Sequence, residues 1–149
     1  MTRFRLPSTA AHDLHSAHDN LAATLDRLRE IADALDDVEP ERARALIEEA
    51  DRLVAEHVVS HEREDESTVY PEIAKYLRDP ALLAAMSRAH REIQHSARLL
   101  SRLAAGLRLE AADRYTVRDA QRVIESIESL VRIHSAQEED IYEGAVRAG

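Results

Sequence analysis

Apolar residues recur every three to four positions along most of this chain, which is the period of an α-helix. Four such stripes can be traced. The first two consist of Leu14, Leu21, Leu25, Leu28, Ala32 and Leu35, and of Leu46, Ala50, Leu53, Val54 and Val58. The last two consist of Leu82, Met86, Ala89, Ile93, Ala97, Leu100, Ala104 and Leu107, and of Ala120, Val123, Ile127, Leu130, Val131, Ile141 and Ala145. With only three glycines and four prolines, the chain lacks the turns of a β-sandwich, so the sequence predicts an all-α fold.

Capping residues and prolines predict the ends of the first two helices. The first helix is expected to begin near Ser8 or Thr9 and to stop at the turn over 36–37. Pro40 fits the first position of the second helix. Pro71 disfavours helical geometry at the residue before it, so this helix is expected to kink or end at residue 70, with a short continuation over 72–77.

Similar signals delimit the other two helices. Asp79 is predicted to cap the third helix ahead of Pro80, and Gly106 lies near its expected end. A polar loop over 109–115 follows. The residues Thr116-Val117-Arg118-Asp119 match the capping-box spacing that begins a helix, and Gly144 marks where the fourth helix is expected to fray. Two hairpins with short connections predict an antiparallel, up-down-up-down four-helix bundle forming a single domain over 1–149.

Composition excludes several classes of function. The net charge of -9 argues against nucleic acid as a partner, because binding phosphates needs a basic face. No run of about 18 apolar residues predicts a membrane span, and residues 1–7 lack a secretory signal, so a cytoplasmic location is expected. The absence of cysteine rules out disulfides, zinc–thiolate sites, iron–sulfur clusters and thiol catalysis.

The eight histidines are not distributed like surface residues. A rotation of about 100° per residue points one histidine of each helix towards its apolar stripe. These histidines are His18, His61, His90 and His134. His12 and His95 fall on the opposite side of their helices, and His15 falls at the boundary. The inward set suggests either hydrogen-bonded core histidines or ligands that meet between the helices.

Two carboxylates accompany these histidines. Asp65 follows His61 by four residues and Glu138 follows His134 by four, so each pair shares one helix face. A buried carboxylate without a partner is costly. Inward carboxylates facing histidines therefore need a cation or protonated imidazoles, and a pair of metal ions would satisfy both groups. The alternative is that both acids are surface residues.

A weak internal repeat supports a shared centre. His18 and His61 are 43 positions apart, and His90 and His134 are 44 apart. Each second histidine is followed by an acidic pair and then by an apolar residue and a tyrosine. The two sets are Asp65-Glu66 with Val69-Tyr70, and Glu138-Glu139 with Ile141-Tyr142. Two hairpins related by a pseudo-twofold axis would place such ligands symmetrically.

These histidines and acids, with the Tyr70-Pro71 pair after the second histidine, resemble the hemerythrin-like HHE cation-binding domain family over roughly 8–142. The resemblance implies a four-helix bundle holding two non-haem iron ions with oxo and carboxylate bridges. It also implies that the centre binds a small ligand: dioxygen, nitric oxide or peroxide. The expected terminal ligands are His18, His61, His90 and His134. The expected bridging ligands are Asp65 and Glu138.

The sequence departs from the oxygen carriers of that family. Carriers have a second histidine four residues before the one on the third helix, where this chain has Met86. The possible replacements are His57, Glu62, Tyr142 or water. The carriers' last carboxylate would correspond to Glu139, but Glu138 lies on the inward face and Glu139 does not. Redox reaction with peroxide, or sensing of a diatomic molecule, is therefore expected in place of oxygen carriage.

Other interpretations stay open at the level of sequence. The segment 62–66 is expected to be mostly a solvated face apart from Asp65, and Tyr70 and Tyr142 to be packing residues at helix ends. The protein could be a peroxide-consuming, catalase-like enzyme or a sensor. It could instead be a non-enzymatic interaction module responsive to iron or oxygen, or a metal-free structural bundle. Mixed imidazole and carboxylate ligands suit iron, manganese and zinc alike, and the pattern is compatible with any oligomeric state.

Overall fold

The computed structural model describes residues 8–109 and 111–147. It contains six α-helices in chain order: α1 (Ser8–Ala34), α2 (Pro40–Leu53), α3 (Ser60–Glu64), α4 (Tyr70–Ile73), α5 (Ala81–Leu109) and α6 (Arg114–Arg147). Two π-helical segments, Val54–Val59 and Asp65–Val69, join α2, α3 and α4 into one continuous helix over 40–73, called the composite helix below. The chain therefore has four long helices, and no strand occurs in the described residues, which confirms the predicted all-α class.

The π-helical segments explain how the composite helix keeps one face in the core. Buried side chains recur four residues apart along it, at Leu46, Ala50, Val54, Val58 and Glu62. In an ideal α-helix each step of four residues turns about 40° beyond a full turn, so this series would rotate away from the core. A π-helical turn is wider and takes up that rotation. The first π-helical segment thus helps bring His61, Glu62 and Asp65 to the inside of the bundle.

Pro71 does not end this helix, so of the predicted kink or end at Tyr70 the end does not occur. Helix α4 runs through Pro71 to Ile73, and the backbone N–H of Ala74 donates to the carbonyl oxygen of Tyr70 at 2.9 Å. The proline lies two residues after the second π-helical segment, Asp65–Val69, where the α-helical hydrogen-bond ladder is already displaced. The missing N–H of the proline therefore costs less there than in a regular helix.

The start of α5 matches its prediction more closely than the start of α6. Asp79 Oδ1 accepts a hydrogen bond from the backbone N–H of Ala81 at 3.0 Å, as expected of a cap. Helix α6, however, is capped by Asp113, which accepts bonds from two backbone N–H groups and from the Thr116 hydroxyl. The helix begins at Arg114, so the predicted start at Thr116 is wrong.

Two further predictions about α5 and α6 are corrected by the structure. Helix α6 continues past Gly144 to Arg147 and does not fray at the glycine. Leu82, expected in the apolar stripe of α5, is 47% exposed, and Leu83 is buried in its place. Pro80 precedes the helix, so the stripe begins one residue later than the sequence suggested.

Helices α1 and α6 contact each other near both ends of α1. Near the end of α1, Gln121 Nε2 of α6 donates to the carbonyl oxygen of Ala32 at 2.8 Å. Near the start of α1, His18 lies 2.7 Å from Glu139, close to the end of α6. One large hydrophobic cluster takes side chains from all four long helices.

A second, smaller hydrophobic cluster takes its buried side chains from the composite helix, α5 and α6. Its buried members are Tyr70, Ile73, Leu83, Met86 and Tyr142. On the composite helix, α5 and α6, the inward histidines and acids fall in sequence between the residues of the two clusters. None of the described helices combines the length and apolar character that a membrane span requires.

Candidate metal centre

Two adjacent groups of potential metal-binding donors occur among the described residues. The first group consists of Glu62, Asp65, His90 and His134. The second group consists of His18, His61 and Glu138. Within each group one donor atom per residue lies within 4.8 Å of all the others. The structure therefore brings together all six residues singled out from the sequence, and it adds Glu62.

Asp65 lies between the two groups. Its Oδ2 atom is 3.3 Å from Nε2 of His61, in the second group, and 3.9 Å from Nε2 of His90, in the first. The side chain is buried, and it is carried at the start of the second π-helical segment. One carboxylate oxygen thus reaches a histidine of each group.

Glu138 has the matching position on α6. Its Oε1 atom is 3.1 Å from Nε2 of His134 and 3.5 Å from Nε2 of His18. The side chain is fully buried. Like Asp65, it contacts one histidine of each group, so the pair of groups is linked by two carboxylates contributed by different helices.

Several buried donor atoms of the centre lack a hydrogen bond. They are Oε1 and Oε2 of Glu62, Oδ2 of Asp65, Oε1 of Glu138 and Nε2 of His61. Their close polar neighbours are other members of the same two groups. Unsatisfied buried polar atoms are costly and uncommon in folded proteins. Carboxylate oxygens and imidazole nitrogens that share such surroundings fit a bound cation, so the residues present suit a metal centre.

Position 86 on α5 carries no histidine, and Glu62 of the composite helix is an additional donor of the first group. It is fully buried, its Oε2 contacts Nε2 of His90, and it lies 3.4 Å from Nε2 of His134. The expectation that Glu62 belongs to a solvated face is therefore wrong. Met86 packs in the smaller hydrophobic cluster. Among the proposed replacements, Glu62 is the one that joins the donors.

The remaining histidines lie outside the two groups. His57 is exposed on the composite helix and His95 is exposed on α5, as expected for His95. His15 is mostly exposed and lies 3.3 Å from Glu139. The side chain of His12 falls outside the described part of the chain.

Two outer carboxylates contact the far sides of the histidines. Glu139 Oε1 lies 2.7 Å from Nδ1 of His18, and Glu66 Oε1 lies 2.7 Å from Nδ1 of His90. The Nε2 atoms of both rings face the inner carboxylates. An outer carboxylate of this kind fixes the tautomer and the orientation of a metal-binding imidazole. Each acid directly follows an inner carboxylate in the sequence, so the internal repeat corresponds to a real symmetry of contacts.

Tyr70 and Tyr142 contribute more than packing. Both hydroxyls donate to Oε2 of Glu138, at 2.7 Å and 2.9 Å. The hydroxyl of Tyr70 also lies 3.0 Å from Nε2 of His90, and its ring stacks on that imidazole. The ring of Tyr142 stacks on His18. The repeated tyrosine in the sequence signalled these residues, although their hydrogen bonds could not be anticipated from it.

Burial and mutual contact shift the pKa values of the two linking carboxylates in opposite directions. Burial and the negative charge of Glu138 raise the pKa of Asp65 well above its usual range. Burial would also raise the pKa of Glu138. The close approach of His18, the charge of His134 and the hydrogen bond from Tyr70 outweigh it, so the pKa of Glu138 is lowered. Without metal, Asp65 therefore holds a proton while Glu138 remains ionised.

The histidine pKa values follow the same balance. Burial tends to lower the pKa of His18, but the nearby carboxylate of Glu138 and the hydrogen bond with Glu139 outweigh burial and raise the pKa. At His61 burial dominates and the pKa is lowered. In the metal-free centre, the raised pKa values of Asp65 and His18 favour bound protons, which offset part of its negative charge.

A cavity of about 320 Å³ opens beside the second group, between α1 and the composite helix. Leu14, Ala17, Val69 and Ile73 supply apolar walls. His18, His61 and Asp65 line it as well. A small molecule in this cavity would therefore meet donors of the second group directly.

Comparison with models of protein families found a match. The model of the family described as Hemerythrin HHE cation binding domain matches residues 9–146. No curated protein and no solved structure gave a significant match.

Proposed function

The chain belongs to the hemerythrin HHE cation-binding domain family, and from this premise we propose that it is a non-haem di-iron protein that reacts with or senses dioxygen, nitric oxide or peroxide. The observation that carries the proposal is the pair of adjacent donor groups linked by two carboxylates. Sites that hold two metal ions use ions roughly 3.5–4 Å apart, which requires shared ligands of this kind.

Each proposed ligand has a role set by its position. The ligands of the first ion are Glu62, His90 and His134. The ligands of the second ion are His18 and His61. The ligands shared by both ions are Asp65 and Glu138. Iron bound by these residues would supply the redox chemistry, while the chain orients the ligands and limits access of water.

The second ion is the proposed contact point for the small ligand. It has fewer terminal donors from the chain than the first ion, since Glu62 belongs to the first group. It also borders the cavity between α1 and the composite helix. The largely apolar walls of that cavity favour small uncharged molecules such as dioxygen, nitric oxide or hydrogen peroxide.

The proposal includes the antiparallel, up-down-up-down order of the four long helices as one domain over 1–149. The reversed contacts between α1 and α6 support this order. The cytoplasmic location stays a prediction from the sequence.

The first test is the metal content per chain of protein produced with ample iron. We expect two irons per chain, and loss of loading in His61→Ala and His134→Ala. The exposed histidines His57 and His95 provide matched controls, and their alanine variants should keep both irons. A single metal, or zinc, would favour a structural or signalling role. A folded chain with no metal would leave the metal-free bundle as the correct interpretation.

Turnover then separates an enzyme from a sensor. A catalase-like enzyme consumes peroxide at a rate proportional to its iron content. A sensor or interaction module shows metal-dependent stability and ligand-dependent spectra without turnover. His57→Ala again serves as the reference, because its iron content should equal that of the unmodified chain.

A further inference from the structure

The two carboxylate oxygens of Glu138 have different surroundings. Oε2 accepts hydrogen bonds from the hydroxyls of Tyr70 and Tyr142, at 2.7 Å and 2.9 Å. Oε1 is buried without a hydrogen bond. It lies 3.1 Å from Nε2 of His134 and 3.5 Å from Nε2 of His18. One oxygen is therefore committed to the protein, and the other faces the donors of both ions.

A carboxylate offers about four lone-pair sites, two on each oxygen. Oε2 accepts two phenol hydrogen bonds, whereas Oε1 has none. We propose that Tyr70 and Tyr142 are positioning residues that restrain Glu138 through Oε2 and so hold its carboxylate in the orientation in which Oε1 faces both groups of donors. This inference rests on the proposed function, because it concerns how Glu138 meets bound ions.

The arrangement breaks the symmetry of the internal repeat. The repeat places one tyrosine after each inner carboxylate, yet both phenols converge on Glu138. No hydrogen bond among the described residues joins a tyrosine to Asp65. Tyr70 follows Asp65 by five residues, whereas Tyr142 follows Glu138 by four. The extra residue lies within the second π-helical segment, which directs Tyr70 across the centre to α6.

Packing keeps both phenols in place. Tyr70 and Tyr142 are 4% and 3% exposed. The ring of Tyr70 lies 5.1 Å from that of His90 at an interplanar angle of 12°, and the ring of Tyr142 lies 6.2 Å from that of His18 at 20°. A change to phenylalanine retains these ring contacts and removes only the hydroxyl. Such variants therefore isolate the hydrogen bonds to Oε2.

The experiment compares iron-loaded Tyr70→Phe, Tyr142→Phe and the double variant with the unmodified chain. Iron content is measured at saturation, iron affinity by competition with a chelator, and the ferric centre by absorption and Mössbauer spectroscopy. We expect two irons in each variant, an affinity roughly 10- to 100-fold lower, and altered spectra, with the largest change in the double variant. Tyr115→Phe is the control, since Tyr115 is 82% exposed on α6.

Four outcomes would overturn the inference. In the first, Tyr70→Phe holds two irons with unchanged affinity and spectra. In the second, its melting temperature falls while the ferric spectra stay the same, which is a purely structural role. In the third, the unmodified chain has a phenolate-to-iron absorption band that Tyr70→Phe lacks, which would make Tyr70 a ligand. In the fourth, the unmodified chain takes up no iron, and that result also removes the proposed function.

Discussion

At the scale of single residues, the centre has as a donor the carboxylate of Glu62. It lacks the second α5 histidine of the oxygen carriers, because Met86 stands at that position. Exchanging a neutral imidazole for a carboxylate adds negative charge to a buried site. It also replaces a nitrogen donor by an oxygen donor, which favours harder, more highly charged ions. This exchange favours oxidised iron over the reduced state that reversible oxygen binding needs.

Glu62 should be needed for one ion and not for both. We expect Glu62→Ala to lower the iron content towards one per chain, since the second group of donors stays intact. Glu56→Ala is the matched control, because Glu56 is exposed on the same composite helix. Iron analysis of the two variants side by side checks this. Two irons in Glu62→Ala would show that Glu62 is not a ligand.

Iron uptake should release protons and strengthen as the pH rises. The pKa of Asp65 in the metal-free chain is raised, so its carboxyl is protonated below that raised pKa and must lose the proton to bind metal. Affinity should therefore fall as the pH drops through the neutral range. A pH indicator in weakly buffered solution counts the protons released on loading. Asp65→Asn should release fewer, and uptake that leaves the pH unchanged in the unmodified chain would contradict the assignment.

Much of the centre at this scale could be predicted from sequence, but not all of it. The inward histidines follow their apolar stripes at helical spacing, so a simple rotation per residue indicates their faces. Glu62 was one of several possible replacements, but it was also expected on a solvated face because π-helical segments change that rotation within the composite helix. The hydrogen-bond partners of Tyr70 could not be predicted for another reason. They lie on other helices, and the periodicity of one helix gives no distance to side chains of another.

At the scale of helices, the end of one element is set by a local competition between caps. The spacing of Thr116 and Asp119 predicted the cap of α6, whereas Asp113, three residues earlier, was not predicted as a cap although aspartate is a favoured N-cap residue. The structure uses Asp113, whose carboxylate accepts hydrogen bonds from the backbone N–H groups of Tyr115 and Thr116. Both candidates satisfy the sequence rule, so the pattern alone could not choose between them.

The cap of α6 provides a direct test of this choice. Asp113→Ala should lower the melting temperature by a few degrees, because two backbone N–H groups lose their acceptor. Asp119→Ala should leave it nearly unchanged. The pKa of Asp113 is lowered by its bonds to Thr116. The stabilisation is thus present above the usual pKa of an aspartate and is lost as the pH falls through the lowered value. Thermal melts of both variants across acidic pH check both statements, and equal melting temperatures at neutral pH would reject Asp113 as the cap.

At the scale of the whole molecule, the candidate centre and the main core are separate. The large hydrophobic cluster holds Leu28, Ile47, Leu100 and Ile127 with no exposed surface. None of these side chains is a candidate ligand. The helical stripes predicted Leu28, Leu100 and Ile127 of this core but not Ile47, because the stripe of the composite helix was assigned to one narrower face. Folding of the chain should therefore survive metal removal, although stability should fall.

Chelation should lower stability without abolishing helical structure. A ligand that binds only the native state adds about 4 kcal/mol at a free concentration 1,000-fold above its Kd. We expect a chelator to reduce the melting temperature while the circular dichroism at 25 °C remains helical. The variant with His61→Ala should melt like the chelated chain with or without iron. If the chelator leaves the melting temperature of the unmodified chain unchanged, the chain is instead the metal-free bundle.

The contact of two tyrosines with Glu138 has an optical consequence. The chain has no tryptophan and four tyrosines, so its intrinsic fluorescence comes from tyrosine alone. Two of these emitters, Tyr70 and Tyr142, donate their hydroxyls to the same buried carboxylate. Half of the intrinsic emitters thus lie at the centre itself. Changes in the intensity, lifetime and polarisation of that emission would report metal binding and small-ligand binding at the centre in real time. Tyr76 and Tyr115 would supply the background emission.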